Sequence, residues 1–279
     1  TDNTFLTYGA NGFTNATYTN TFAGGVFSVN TTGSSIVDVT TGALTMLQDQ
    51  TVYAMRTSQN ISSGFDQVNT ITFADGISDA DRGGLLNTGT PTIAVNLKFG
   101  TNGDKEAIFY NAGNLTVTGD IFAGSITKFG GSALIISKDQ TAAVNGTGFS
   151  GNWIVNQGTL QFNTFGGAGD GGTITLNGSS PNTAAGSTLT LNVNPGSPLL
   201  AQYTMGRIIA VDNATINLDT QASDRTVGIS DLEINSTDTT GLSPARLRMV
   251  IGRDRSMVDA GTLYLTGSGS SILDIAQTS

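Results

Sequence analysis

Cysteine and histidine are both absent from this chain of 279 residues. Without cysteine there is no disulfide framework, no thiolate zinc site and no cysteine nucleophile. Without histidine there is no Ser-His-Asp triad, no imidazole general base and no haem ligand of that type. The sequence therefore excludes several large classes of hydrolase, redox protein and metal site.

Charged residues are few, and basic residues are the scarcer kind. Lys and Arg number 12 against 21 Asp and Glu, which gives a net charge of −9 and a pI near 4.2. Such a chain is poorly suited to binding nucleic-acid phosphates. No run approaches the ~18 apolar residues of a membrane-spanning helix. Because Thr1 to Phe5 lack the features of a signal peptide, we expect a mature piece of a longer protein or a chain whose export signal was removed.

Helix-forming residues are also rare, since Glu occurs twice and Lys four times. By contrast there are 42 Thr, 37 Gly and 23 Asn, which favour strands and tight turns. This composition predicts an all-β fold with many short strands. It is also typical of bacterial proteins that are secreted or displayed, so we expect an extracellular or outer-cell-surface location.

Short segments that begin at Gly or Asn and then alternate apolar with polar residues recur along the chain. The period of two puts Leu, Ile and Val on one strand face and Thr and Asn on the other. Copies begin at Gly42, Gly113, Gly158, Gly172, Gly186, Asn213 and Gly261. Their intervals exceed the roughly 8–12 residues of sandwiches and barrels, which favours a β-solenoid with variable coils over a sandwich.

Residues 1–25 differ from the rest of the chain. Five aromatic residues are spaced there among Thr, Asn and Gly: Phe5, Tyr8, Phe13, Tyr18 and Phe22. Terminal repeats of solenoids are atypical because they must cover an open end of the core. We therefore expect an irregular, extended or capping segment at 1–25 and the β-solenoid at 26–279.

Three strand patterns and three turns follow one another between Ile126 and Gly178. The pieces are Ile126-Thr127-Lys128, Gly130-Gly131, Ala133 to Ile136, Gly151, Trp153, Val155, Gly158 to Gln161, and Gly166 to Gly172 leading into Ile174 to Gly178. This order resembles the autotransporter-associated β-strand repeat of large bacterial surface passengers, except that Ser132-Ala133-Leu134 stands where the family usually has Gly-x-Leu. The resemblance implies a right-handed parallel β-helix, exported across an outer membrane and displayed on or shed from the cell. It implies no enzyme activity.

The densest carboxylates are Asp75, Asp79 and Asp81. Their oxygens can bind Ca²⁺, although the spacing does not fit an EF-hand loop and Arg82 offsets the charge. The alternatives are a solvated loop, which we favour, and a catalytic carboxylate pair. Calcium is the only cofactor that the sequence suggests, and no catalytic residue is predicted.

Two further features allow a structural and a functional interpretation. Arg246 and Arg248 alternate in one strand and share a face, with Arg253 and Arg255 close behind. We favour local ion pairs for them over a surface for an acidic partner or an anionic polysaccharide. Trp153 is the single tryptophan, and we interpret it as a coil-packing or capping residue rather than a sugar-stacking one.

The segments Ser34 to Val39 and Ser270 to Ile275 are nearly alike, as SSIVDV and SSILDI. An uncapped solenoid end exposes unpaired backbone groups and templates another chain. We therefore predict a structural or adhesive surface protein that assembles with copies of itself, head to tail, into a fibre or tandem array. The expected interface residues are the five aromatic residues of 1–25 together with Ile272, Leu273 and Ile275.

Other partners that fit this hypothesis are a polysaccharide or a host surface. Two alternatives from other classes stay open. One is a β-helical polysaccharide-degrading enzyme, which would need carboxylates and arginines on one solenoid face. The other is a carbohydrate-binding module.

Overall fold

A computed structural model of the chain describes residues 4–9, 12–22, 24–27, 31–64, 68–73, 83–141, 148–164, 166–178, 186–192, 202–218, 226–237, 244–251 and 257–277. Within these ranges every regular element is a β-strand and no helix is present. The all-β class predicted from the scarcity of helix formers is confirmed.

The chain divides into two compact units, Thr1–Ile126 and Thr127–Ser279. The first unit contains the strands β1 Leu6–Gly9, β2 Gly12–Asn15, β3 Asn20–Thr21, β4 Gly25–Phe27, β5 Ile36–Val39, β6 Leu44–Met46, β7 Gln50–Val52, β8 Ala54–Thr57, β9 Ile61–Ser63, β10 Thr70–Phe73, β11 Gly83–Asn87, β12 Thr92–Ala94, β13 Asn96–Phe99, β14 Glu106–Asn111, β15 Leu115–Val117 and β16 Ile121–Phe122. The next strand, β17 Ser125–Phe129, contains the division.

Three sheets of parallel strands make up the body of the first unit. Their strand orders are β3-β5-β8-β11-β14, β4-β6-β9-β12-β15 and β7-β10-β13-β16. From β5 onward, consecutive strands enter the three sheets in turn, so each coil of chain adds one strand to each sheet, whereas β3 and β4 add strands to two sheets only. This is the topology of a parallel β-solenoid. The coils differ in length, yet their strands stay in register. For example, one column of aligned positions contains Ile36, Ala54, Gly84 and Ile108.

The second unit contains the strands β18 Ala133–Ile136, β19 Asn152–Val155, β20 Gly158–Phe162, β21 Ile174–Asn177, β22 Ser187–Leu191, β23 Gln202–Met205, β24 Ile208–Val211, β25 Ala214–Leu218, β26 Thr226–Ser236, β27 Ala245–Ile251, β28 Met257–Gly267 and β29 Ser271–Gln277. One sheet has the order β19-β21-β24-β26, and both β23 and β28 also pair with β26. The other has the order β18-β20-β22-β25-β27-β29. The pairs are parallel, which confirms the predicted parallel β-helix.

Alternation along each strand sorts its residues between the core and the outer face. In the second unit Leu160, Leu189 and Ile216 stack in one fully buried inward column. Neighbouring outward positions form a ladder of hydroxyl residues, Thr159, Thr188 and Thr215. Parallel strands lie ~4.8 Å apart, so each apolar side chain contacts its counterpart in the next coil and water is excluded from the column.

Trp153 is part of this core. Its side chain is buried, its Nε1 donates to the Ala168 carbonyl at 2.9 Å, and its ring meets Phe149 and Phe162 edge to face at centroid distances of 5.1 and 5.2 Å. The coil-packing interpretation is therefore confirmed, and the sugar-stacking one is wrong, because no ring face is open to a ligand.

The first residues of the chain form a hairpin and two short strands. β1 and β2 pair antiparallel, with Tyr8 opposite Phe13, unlike the parallel coils. β3 and β4 then pair in parallel with β5 and β6. The irregular part of the predicted segment 1–25 is thus the hairpin, and the solenoid sheets already begin at Asn20.

Candidate assembly interface

The last coil of the second unit is formed by β28 and β29, and each strand pairs on one side only. β28 pairs with β26 over ten aligned positions, and β29 pairs with β27 over seven. No strand in the described part of the chain pairs with the opposite edges. Both strands therefore present a row of unpaired backbone N–H and C=O groups, the arrangement that accepts an added strand.

In the sheet that contains β26 and β28, the residues of the inward-facing column are buried on β26 and exposed to solvent on β28. Leu232 and Ile234 are buried on β26. Their register partners on β28 are Leu263 and Leu265, which are 46% and 63% exposed. Leu263 and Leu265 therefore occupy core positions of the coil, and no strand in the described part of the chain covers them.

The same change occurs in the second sheet. Leu247 and Met249 are buried on β27, whereas their partners Leu273 and Ile275 on β29 are 37% and 63% exposed. We call the four exposed residues Leu263, Leu265, Leu273 and Ile275 the C-terminal end face. A contiguous apolar patch of this kind marks an interaction site more often than scattered apolar residues do.

The start of the first unit is covered differently. Phe27 on β4 is fully buried, and the Phe22 ring meets it edge to face at 4.3 Å between centroids. We call this pair the N-terminal closure. The aliphatic residues of the coil beneath it, Val37, Leu44 and Met46, are buried. Among its described residues, the first coil therefore has no apolar core position as exposed as those of the last coil.

Other aromatic residues of the predicted interface set lie against the first unit itself. The Arg56 guanidinium lies over the Tyr18 ring at 4.4 Å, and the Tyr18 hydroxyl is 2.9 Å from Thr4 Oγ1. The Phe5 ring lies over Gly84, where an added Cβ would come within 3.3 Å of it. Phe5 and Tyr18 thus fasten the start of the chain to the sheet that contains β8 and β11.

The predicted interface residues therefore fall into three groups. Phe5, Tyr18 and Phe22 pack within their own unit, and Tyr8 and Phe13 are paired positions of the hairpin. Leu273 and Ile275 lie on the C-terminal end face, as an assembly surface requires. Ile272 is register partner of Arg246 and lies on the outward side of β29, half-buried.

The two carboxylates that are buried among the described residues, Asp38 and Glu233, are each paired with an arginine. Arg56 holds Asp38 through two hydrogen bonds, Nε to Oδ1 at 2.9 Å and Nη2 to Oδ2 at 2.8 Å. Arg207 pairs with the buried Glu233, which also accepts a hydrogen bond from Thr266 Oγ1. These bonds join neighbouring coils, because Asp38 and Arg56 lie on the paired strands β5 and β8, and Glu233 and Thr266 on the paired strands β26 and β28.

Arg246 and Arg248 lie on the outward face of β27, as their alternation predicts. Arg246 is 3.7 Å from Asp274 on β29, a local ion pair of the kind that we expected. The partner differs from those that the sequence suggested, because β29 of the next coil brings Asp274 beside β27. The acidic residues expected to pair with these arginines were Asp224, Asp231, Glu233, Asp254 and Asp259. Arg253 and Arg255 lie outside the described residues.

Asp75, Asp79 and Asp81 also lie outside the described residues, so the calcium hypothesis stays a prediction. Within the described part of the chain, no cluster of three or more acidic side chains has the geometry of a metal site. No helix that could span a membrane occurs in that part either.

Sequence reasoning missed Lys128, which is buried at the end of β17. Its Nζ donates to the carbonyl oxygens of Gly130 and Gln157, both at 2.7 Å, and of Phe129 at 3.4 Å. Burial lowers the pKa of Lys128 to about 8. The bonds to Gln157 tie one coil to the next. The only feature of the sequence that could have indicated a buried lysine is its position just before the turn at Gly130-Gly131. The sequence alone does not show that the ammonium group of Lys128 points into the core.

Comparison with known proteins adds no relative: no family model, no curated protein and no solved structure matches the chain. The resemblance of 126–178 to the autotransporter repeat stays a prediction.

Proposed function

We propose that this chain is a structural or adhesive module of a bacterial surface, located outside the cell or on its outer face. Its work is to supply length, rigidity and display. The observation that carries this proposal is the in-register stacking of coils in each unit. Aliphatic columns fill the inside, and a threonine ladder of Thr159, Thr188 and Thr215 lies on the outside.

Self-association belongs to the same proposal. The C-terminal end face offers four exposed core positions and two unpaired strand edges. Burial of apolar surface and backbone pairing both favour addition of β-structure there. Copies of this chain are the partner that the sequence predicts, in a fibre or tandem array. A polysaccharide or a host surface would then meet the sides of the module.

A reaction is less well supported by the side chains that the structure describes. A polysaccharide-degrading β-helix needs free carboxylates on one face, whereas the two carboxylates buried among the described residues, Asp38 and Glu233, are held by Arg56 and Arg207. Trp153 is buried and unavailable for sugar stacking.

The test compares binding with turnover on the same material. Purified chain is incubated with a panel of acidic and neutral polysaccharides and assayed for co-sedimentation, reducing ends and unsaturated products. The structural role predicts no product above a heat-inactivated control, with or without calcium. Release of product that scales with chain concentration would contradict the proposal and favour the enzyme.

A further inference from the structure

Asparagine followed by glycine occurs four times in the chain, at Asn11-Gly12, Asn102-Gly103, Asn145-Gly146 and Asn177-Gly178. In such a pair the backbone nitrogen of the glycine can attack the asparagine side chain, because glycine has no Cβ to hinder the approach. The structure describes both residues of the pairs at 102–103 and 177–178. From their different surroundings we propose that Asn102 is a site of spontaneous deamidation in the native protein and that the fold protects Asn177. This inference does not depend on the proposed function.

The reaction at Asn102 needs no reagent other than water. The backbone nitrogen of Gly103 bonds to the side-chain carbonyl carbon, Cγ, while the bond from Cγ to Nδ2 breaks. Nδ2 leaves as ammonia and takes the proton that the backbone nitrogen loses. Water then opens the five-membered succinimide ring at one of its two carbonyl carbons. The product is aspartate, or isoaspartate, in which the main chain runs through the former side chain, and either product is negatively charged at neutral pH.

Asn102 lies in an exposed turn between β13 and β14. Its side chain is exposed and forms no hydrogen bond with any residue in the described part of the chain. The N–H of Gly103 donates to the Gly100 carbonyl oxygen at 3.1 Å, within the same turn. This distance is at the long end of the usual range, and a turn can open locally while the strands on either side stay paired. The attacking nitrogen and the carbon that it attacks can therefore come together in the folded chain.

Asn177 is the last residue of β21 and is held from two sides. Its Nδ2 donates to Asn156 Oδ1 of the preceding coil at 2.7 Å. The N–H of Gly178 donates to the Val211 carbonyl oxygen of the following coil, also at 2.7 Å. The space around Gly178 is closed as well, since an added Cβ would lie 2.3 Å from the Asn213 carbonyl oxygen. Attack at Asn177 therefore requires bonds to two neighbouring coils to break first.

Deamidation at Asn102 changes a turn that packs against the next coil. An added Cβ on Gly103 would lie 2.6 Å from Phe122 Cβ, so the main chain of the turn contacts β16. Isoaspartate inserts one extra carbon into that main chain, and the new carboxylate adds to that of Asp104, which is exposed in the same turn. We expect the contact with Phe122 to loosen as isoaspartate accumulates, so the turn records the age of each molecule.

The test is a peptide map of the purified 279-residue chain during incubation at neutral pH and physiological temperature. Trypsin releases Asn102 in the peptide from Phe99 to Lys105, and chymotrypsin separates Asn145 from Asn177. Conversion raises the mass of a peptide by one unit, and methyl transfer by an isoaspartyl methyltransferase identifies the isoaspartate product. We expect Asn102 to convert at least about 10-fold faster than Asn177, because Asn177 reacts only after local opening.

Incubation in concentrated urea is the matched control, because it keeps the sequence and removes the fold. Both asparagines precede glycine, so their rates should become similar there. Asn156→Ala removes the partner of the Asn177 side chain and should speed conversion at Asn177, with Asn102 unchanged. Asn102→Gln should abolish conversion in the peptide 99–105, because glutamine would have to form a larger ring. Its circular dichroism should match that of wild type, since this side chain is exposed.

Two results would overturn the inference. One is an equal rate at Asn102 and Asn177 in the native chain, or a faster rate at Asn177. The other is an Asn102 that stays intact in the native chain and converts in urea, since the hydrogen bond to Gly100 would then protect it. Neither result bears on the structural role, which the polysaccharide assay tests separately.

Discussion

The first coil of the first unit and the last coil of the second unit are covered differently. A stack of parallel coils has a dry core whose last layer must be covered. At the start of the first unit the chain does this itself, because Phe22 and Phe27 pack edge to face over the first coil. At the end of the second unit, Leu265 and Ile275 occupy core columns and face water. The difference shows that exposure here follows from position in the stack and not from residue type.

The ion pairs show the same contrast. Arg56 and Asp38, near the start, form a bidentate pair that is mostly buried. Arg246 and Asp274, in the last coil, are 3.7 Å apart and substantially exposed. The first pair has two coils and the Tyr18 ring around it, whereas the second has solvent on its outer side. Although both are Arg–Asp ion pairs, the pair of Arg56 and Asp38 should therefore stabilise the fold more than the pair of Arg246 and Asp274.

The largest expected effect comes from the aromatic closure. Phe27→Ala should lower the free energy of unfolding by about 3–5 kcal/mol, because it removes a fully buried ring and leaves a cavity. Ile275→Ala in the last coil should cost about 1 kcal/mol or less in the monomer, since that side chain is 63% exposed. Urea denaturation at low protein concentration measures both. Equal losses would contradict the contrast between the two ends.

The ion pairs should differ by the next largest amount. Arg56→Ala leaves Asp38 buried without its cation, which we expect to cost about 2–3 kcal/mol, a reduced value because Arg56 is partly exposed. Arg246→Ala should change stability by less than about 0.5 kcal/mol, because exposed pairs contribute little. Chemical denaturation at neutral pH compares the two variants. An Arg246→Ala loss as large as that of Arg56→Ala would show that the last coil is already covered.

Substitution of two turn glycines, Gly158 in the second unit and Gly25 in the first coil, should also change stability by different amounts. Gly158, the first residue of β20, has φ of 73°, and an added Cβ would lie 2.5 Å from the Gly130 carbonyl oxygen. Gly25, in the first coil, has φ of 94° with nothing within 4 Å of such a Cβ. Gly158→Ala adds a clash to the backbone strain, so it should cost about 1–3 kcal/mol and more than Gly25→Ala. Thermal unfolding ranks them, and the reverse order would show that the Gly158 turn relaxes freely.

Lys128 gives a pH dependence that belongs to the interior of the second unit. Burial lowers its pKa from 10.5 to about 8 in the folded chain. Between these two values the unfolded chain binds more protons, so the free energy of unfolding should rise with pH across that window. We expect a rise of about 1 kcal/mol or more between roughly pH 8 and 10. Urea midpoints of wild type and Lys128→Met provide the test, since the variant should lack this rise. Parallel curves for both proteins would contradict a buried ammonium.

Much of the fold could be predicted because strands and turns depend on short stretches of sequence. Period-two segments such as Leu44–Met46 and Ala214–Leu218 are strands in the structure, with aliphatic residues inward. Their irregular spacing indicated a solenoid, because coils tolerate loops of different length. The single Trp153 was assigned correctly for the same reason, since its alternation with Val155 placed it on the core side of its strand.

The interface was only partly predictable, since it depends on stacking order. The segment from Gly261 to Leu265 was predicted as a strand, but its amino-acid sequence does not show that Leu263 and Leu265 belong to the last described coil. The aromatic residues of 1–25 were expected to join neighbouring molecules. In the structure Phe5 and Tyr18 instead contact Gly84 and Arg56, over distances in sequence that no local pattern encodes.

We propose that the chain associates through the C-terminal end face and not through the N-terminal closure. Hydrogen–deuterium exchange followed by mass spectrometry tests it without any substitution, at protein concentrations below and above the association midpoint. The account predicts that amides of β28 and β29 gain protection as concentration rises, while those of β3 and β4 do not change. Concentration-dependent protection of β3 and β4, or none at β28 and β29, would contradict it.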